Sequence, residues 1–254
     1  MSSGVEIVPV LGMPEVATGE RLGELIAAAL ASAGEELSAV DVVAVAQKAV
    51  SKAEGRVRHL GEVVASDRAR ELATELGKDP RLIELILSES RAVVRAERDV
   101  LIVETQSGWI CANAGIDASN VPGTDRVTLL PEDSDASARR IRAEIAAAAG
   151  VRPAVLIADS FGRPWRIGQA DVAVGCAGLA PLDDWRGRTD REGRELAATV
   201  VAIADEVAAA ADLAREKDAG VPVCLVRGLA RFVSPEDGPG ARAIQRPEGQ
   251  DLFR

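Results

Sequence analysis

The sequence predicts an α/β fold of mixed α+β character, with mixed sheets flanked by helices. Three observations lead there. Apolar runs at residues 42–46, 154–158 and 221–226 carry no polar residue on either face, the pattern of strands buried on both sides. Between them lie stretches with apolar residues at helical spacing. The polar side chains with chemical potential collect just beyond the apolar runs, where strand-end loops of such a fold can converge on one crevice.

Taken in order, residues 5–11 give a short strand interrupted by Pro9, which predicts an edge or a strand end, and then a turn at Gly12-Met13-Pro14-Glu15. Thr18 precedes a helix marked by Leu22, Leu25, Ile26 and Leu30 and stopped by Gly34. The strand at 42–46 runs into Gln47, Lys48, Ser51 and Lys52 with no helix cap between. Ser66 opens a helix reaching Leu76, and Asp79 caps another with Pro80 in its first position. Residues 100–104 and 109–112 read as a hairpin, followed by a polar loop holding Asp117, Ser119 and Asn120. Residues 127–130 are a further strand, and Asp133-Ser134 cap the helix of Ile141 and Ile145.

The central run delivers Asp159 and Ser160 to what reads as a loop, broken by Gly162, Pro164 and Gly168 and carrying Arg163, Arg166, Gln169 and Asp171. Residues 195–217 read as the longest helix, with Ala198, Ala202 and Ala209 packing and Asp205, Glu206 and Asp212 solvated. Residues 221–226 form the last buried strand before a tail rich in proline and glycine.

Composition removes several functions. At 254 residues the chain can bury a full core. The expectation is no signal peptide and no membrane span, because the start lacks a basic-then-apolar pattern and the apolar runs are short. The three cysteines, Cys111, Cys176 and Cys224, sit in apolar segments with no zinc spacing, which predicts a reduced, cytoplasmic protein. A single histidine, His59, and no tyrosine leave carboxylate, hydroxyl, lysine and arginine chemistry, suited to magnesium or manganese and phosphate. The net charge of −10 argues against a nucleic-acid or anionic-membrane partner.

Neither a GxxxxGK[ST] loop, a GxGxxG turn nor a GxSxG elbow is present. An acid beside a hydroxyl at a strand end, Asp159 and Ser160, can offer two oxygens to a hard divalent cation. Arg163 and Arg166 can hold a phosphate or carboxylate. The residues alone leave a plainer reading open: Asp159 and Asp117 serve turns, Lys48 and Lys52 are solvated, Trp165 packs under its loop and Trp109 belongs to the hairpin core.

The ordered segments VPVLGMPEV, DVVAVAQKAVSKAEGR, ANAGIDASNVPG, ADSFGRPWRIGQADVAVGCAGL and ADEVAAAADL before VPVCLVRG resemble the coenzyme F420-0:L-glutamate ligase family, the gamma-glutamyl ligases of coenzyme F420 biosynthesis. The match runs from about Val5 to Phe253, so residues 1–254 are read as one ligase unit of two subdomains without a fused flavin reductase-like domain. The resemblance implies GTP-dependent joining of L-glutamate to the lactyl carboxylate of F420-0 through an acyl phosphate, followed by gamma-linked additions. It also implies Mg2+ or Mn2+, K+ and an intertwined homodimer of two-part monomers.

Carried over by position, Met13, Pro14, Glu15, Val16, Gln47, Lys52 and Asn120 match nucleotide contacts, and Asp117, Asp159 and Ser160 match metal ligands. Many members have serine where this chain has Gln47. Some archaeal members have a Gly-Glu pair where it has Arg215-Glu216-Lys217, so Glu216 is not carried over as a ligand. The competing readings are a metal-dependent nucleotide phosphatase, a ligase for another acceptor acid, and a non-catalytic assembly protein.

Overall fold

The computed structural model describes residues 4–119, 123, 125–215 and 219–252. Its strands are β1 (Glu6–Pro9), β2 (Val42–Ala46), β3 (Val57–His59), β4 (Ser90–Glu97), β5 (Val100–Thr105), β6 (Ile110–Ala112), β7 (Arg126–Thr128), β8 (Ala154–Arg163), β9 (Arg166–Ala177), β10 (Asp183–Asp184), β11 (Val200–Val201) and β12 (Val223–Arg227). Its α-helices are α1 (Leu22–Ser32), α2 (Gln47–Ala53), α3 (Asp67–Leu76), α4 (Pro80–Ser88), α5 (Ser134–Ala149) and α6 (Ile203–Asp212).

A five-stranded sheet in the order β1-β12-β2-β8-β9 forms the centre. Strands β2 and β8 run parallel, with Val42 beside Ala154 and Ala46 beside Ala158; the other pairings are antiparallel. Alternation along the strands sorts the side chains. Val43, Val45, Val155 and Ile157 meet Leu22, Ile26, Val50, Ile141 and Ile145 of α1, α2 and α5. Val42, Ala44, Ala154, Leu156, Cys176 and Cys224 meet Ile203, Ala204, Val207 and Ala208 of α6 on the other face. Helices on both faces are why these strands are apolar throughout. A second core gathers Leu72 and Leu76 of α3, Ile83 and Ile86 of α4, Leu101 and Val103 of β5, Val127 of β7 and nearby Leu129. Among the described residues no helix is long and apolar enough to cross a membrane.

The expected caps form. Ser66 Oγ accepts from the Ala69 amide at 3.2 Å, Asp79 from Arg81 at 2.8 Å and Asp133 from Ala136 at 2.9 Å. Helix α1 has no side-chain cap, and the Thr18 hydroxyl donates instead to the Lys52 carbonyl. β1 lies at the sheet edge, as Pro9 predicted. All three cysteines are buried and unpaired.

Three expectations need correction. The segment after Ser160 is not a loop: β8 continues to Arg163, turns at Pro164-Trp165 and returns as β9, with Asp159 opposite Val172 and Ser160 opposite Asp171. Pro164 is the turn's first central residue and Trp165 takes φ +67° in the second, the sign that a type II turn requires there. Trp165 is therefore thrust outward, 85% exposed rather than packed. Second, α6 spans only Ile203–Asp212, because Leu196 donates to the Arg188 carbonyl and β11 pairs with β10, which holds residues 195–201 extended. Its buried face is Ile203, Ala204, Val207, Ala208 and Ala211, and Asp205 accepts from the Ala173 amide instead of facing solvent alone. Third, β4 was not expected; its residues are mostly exposed and its ladder to β5 is interrupted by bulges.

Helix α5 lies so close to β9 that a Cβ on Gly175 would fall 2.4 Å from the Ser134 carbonyl carbon. Gly175→Ala should therefore cost about 1–3 kcal/mol in chemical denaturation through forced backbone movement. Gly162→Ala, with open space at its Cβ, should change stability by less than ~0.5 kcal/mol.

Candidate active site at the carboxyl ends of β2 and β8

Because β2 and β8 are parallel and in register to Ala46 and Ala158, the next residues of both strands, Gln47 and Asp159, emerge side by side. Strand β2 passes directly into α2, which brings Lys48 and Lys52 to the same end of the sheet. Asp117 is held nearby by reciprocal backbone hydrogen bonds with Thr128 of β7. Lys48 Nζ lies 2.7 Å from Asp117 Oδ2 and donates to Ser119 Oγ at 2.5 Å. The Ser119 amide and hydroxyl both donate to Asp117, at 2.7 and 2.9 Å. Lys52 Nζ reaches Glu15 Oε1 at 2.6 Å, tying α2 to the turn after β1.

In that turn Val16 is buried, Met13 packs against the core, and Pro14 and Glu15 are exposed. Gln47 is only 2% exposed. Its amide nitrogen donates to the Leu129 carbonyl at 3.2 Å, while its Oε1 is buried without a partner among the described residues.

Asp159 and Ser160 follow the strand alternation. Asp159 shares its surroundings with Lys48 and Asp117, and Ser160 Oγ donates to Asp171 Oδ1 at 2.6 Å across the β8/β9 ladder. Asp171 Oδ2 accepts in turn from Arg215 Nη2, a pair with both side chains 6% exposed. Burial pushes the Asp159 carboxyl up to about 7, with the nearby Asp171 and Asp117 charges adding to the rise and the Ser160 amide and Lys48 opposing it. Asp117 goes the other way. Burial would raise it, but Lys48 and the two Ser119 hydrogen bonds together hold it below the usual carboxylate range.

The structure thus brings Glu15, Gln47, Lys52, Asp117 and Asp159 to one end of the sheet, with Ser160 next along β8. Arg163 and Arg166 lie farther out, at the hairpin tip. Four residues of strand put Arg163 about 13 Å beyond Asp159. The Arg163 guanidinium donates to the Ile167 and Gly168 carbonyls of its own hairpin, and Arg166 is exposed. Asn120 lies outside the described residues, as does Glu216. Among the described residues no group of three or more His, Cys, Asp or Glu side chains is gathered for a metal, and the expected ligands divide: Asp117 and Asp159 face α2, whereas strand alternation turns Ser160 to the α6 face with Asp171 and Arg215.

Sequence reasoning had no role for Asp171, Arg215 or Ser119. Asp171 carried a signal, being a lone acid beside the apolar run of β9. Arg215 carried none.

Functional groups at the carboxyl ends of parallel strands define an α/β enzyme whose ligand sits outside the sheet. The family model for F420-0:gamma-glutamyl ligase matches residues 11–228. The chain is 44% identical over 252 residues to the coenzyme F420:L-glutamate ligase of Methanothermobacter thermautotrophicus, covering 99% of both. It is 43% identical to that of Methanopyrus kandleri, covering 98% of each, and 46% identical to that of Haloarcula marismortui, covering 98% of this chain and 96% of the other. The chain belongs to the F420-0:gamma-glutamyl ligase family, and as a member it is a coenzyme F420:L-glutamate ligase.

The raised Asp159 pKa has a consequence for stability. Above about 7 the carboxylate is charged in both the folded and unfolded chains, and folding carries its burial cost; as pH falls toward 4 the folded protein takes up the proton first and the cost disappears. In metal-free buffer Asp159→Asn should therefore be the more stable protein at pH 8, by on the order of 2–4 kcal/mol, with the gap at pH 5 reduced to less than about half of that. Denaturant melts at the two pH values check it.

Proposed function

We propose that this ligase joins L-glutamate to the lactyl carboxylate of F420-0 at the β2/β8 strand ends, and then extends the product through gamma linkages. The single observation that carries the reading is the convergence of Lys48, Lys52, Asp117 and Asp159 on one end of the parallel pair. It gains weight from relatives named coenzyme F420:L-glutamate ligase that align over nearly the whole chain.

A carboxylate and an amine do not condense in water unaided. The acceptor carboxylate oxygen attacks the terminal phosphorus of GTP and GDP leaves; the glutamate amine then attacks the acyl phosphate carbon, losing a proton as inorganic phosphate departs. Most of the protein's work is to position these groups and neutralise charge.

The donor set fits a divalent cation. Its atoms are hard oxygens, a cationic Lys48 already lies against Asp117, and Asp159 bears a burial cost that a nearby positive charge would relieve. Asp117 and Asp159 would hold Mg2+ or Mn2+ on the α2 face of the sheet, and Ser160, turned to the α6 face, would offer its hydroxyl to a cation on that side; a bound ion neutralises charge on the transferring phosphate. Lys52, released from Glu15, would donate to phosphate oxygens. The turn of Met13, Pro14, Glu15 and Val16, together with Gln47 and Asn120, would contact the nucleotide; the unpaired Gln47 Oε1 is an acceptor suited to a nucleotide N–H. Arg163 and Arg166 would hold an anionic substrate group from the hairpin tip. The reading includes K+, an intertwined homodimer and a cytoplasmic setting, the last suited to three free buried thiols.

Mass spectrometry of a reaction containing F420-0, L-glutamate, GTP and Mn2+ tests the proposal. A product heavier by one or more glutamyl units, lost when GTP or metal is left out, is expected. GDP release without glutamylated product would instead indicate a phosphatase or another acceptor acid. In the same assay Asp159→Asn should stay folded and lose turnover by two or more orders of magnitude, on the order of 10²–10³. Near-normal turnover would remove Asp159 from the metal set. Arg166→Met should raise the KM for F420-0 severalfold with a smaller change in kcat, as expected for loss of uniform binding.

A further inference from the structure

We propose that Asp171 and Arg215 are positioning residues that set the direction of the Ser160 hydroxyl toward a divalent cation. The inference rests on the reading of Ser160 as a metal ligand. A serine hydroxyl has one hydrogen and two lone pairs, and it can ligate a cation only if the hydrogen is turned away. Here the hydrogen has a fixed destination: Ser160 Oγ donates to Asp171 Oδ1 at 2.6 Å, across directly paired positions of β8 and β9. The lone pairs therefore point away from Asp171.

Asp171 is held in that task from its other side. Its Oδ2 accepts from Arg215 Nη2, and both side chains are 6% exposed. Among the described residues Nε and Nη1 of Arg215 are buried without hydrogen-bond partners, so the guanidinium's described partner is Asp171 alone. Asp171 is thus engaged on both oxygens, by the Ser160 hydroxyl and the Arg215 guanidinium, so that it orients Ser160 rather than competing for the cation. Arg215 lies just beyond α6, and the relay thus links the end of that helix to the β8 strand end.

The test measures Mn2+ affinity by electron paramagnetic resonance on the nucleotide-free protein, independent of turnover, alongside thermal melts. Asp171→Leu combined with Arg215→Met removes both charges together and leaves no buried ion unpaired, so the variant is designed to fold. Outer-shell partners of metal ligands typically change affinity 10–100-fold. The pair variant should weaken Mn2+ binding about 10–100-fold, Ser160→Ala should weaken it similarly, and the triple variant should be within about threefold of either. A folded pair variant that binds Mn2+ like wild type while Ser160→Ala does not would overturn the positioning role alone. Wild-type affinity in Ser160→Ala, or no Mn2+ binding by the wild-type protein, would overturn both this inference and the ligand reading beneath it.

Discussion

The parallel pairing of β2 with β8 is the constraint on which the rest depends. Its register, ending with Ala46 beside Ala158, fixes Gln47 and Asp159 next to each other at one edge of a sheet covered on both faces. Covering both faces makes the strands apolar and rigid, and it also makes the first polar residue beyond each strand partly desolvated. The same arrangement that stabilises the fold therefore sets the charge state of the site.

Three carboxylates, Asp117, Asp159 and Asp171, lie there, and the charges of Asp171 and Asp117 both act on Asp159. Two have dedicated cations, Lys48 on Asp117 and Arg215 on Asp171. Asp159 has no ion pair within bonding distance among the described residues, and its carboxyl rises to about 7 while that of Asp117 falls. A site with one underneutralised carboxylate beside neutralised ones has a defined vacancy in charge. Phosphate transfer through a divalent cation needs such an arrangement, because the ion must bind strongly enough to stay and still leave charge to share with phosphate.

Much of this was legible in the sequence. The doubly buried strands follow from apolar runs such as residues 42–46 and 154–158, and three helix starts follow from Ser66, Asp79 and Asp133, whose side chains cap as their chemistry dictates. Gln47 and Asp159 each follow an apolar run in the sequence, and the β2/β8 register sets them side by side. What escaped depended on tertiary pairing. Gly162, Pro164 and Gly168 read as loop breakers, yet Pro164 builds a tight turn and the flanking residues pair as a ladder. Residues 195–201 have helical composition, but backbone bonds to residues 185–188 and the β10/β11 pairing override it. β4 has charged and apolar residues mixed along an exposed strand, so no period marked it. Arg215 reads like any other arginine until the fold brings it to Asp171, since side-chain pairing across 44 positions leaves no local trace.

The central claim, that the β2/β8 strand ends hold the divalent cation of the ligase, is tested most directly by anomalous X-ray scattering at the manganese edge from crystals grown with Mn2+ and GTP. The account predicts an anomalous peak within about 2.0–2.6 Å of oxygens from Asp117 and Asp159. A peak only at other residues, with these two side chains unchanged and Asp117 still paired with Lys48, would contradict it.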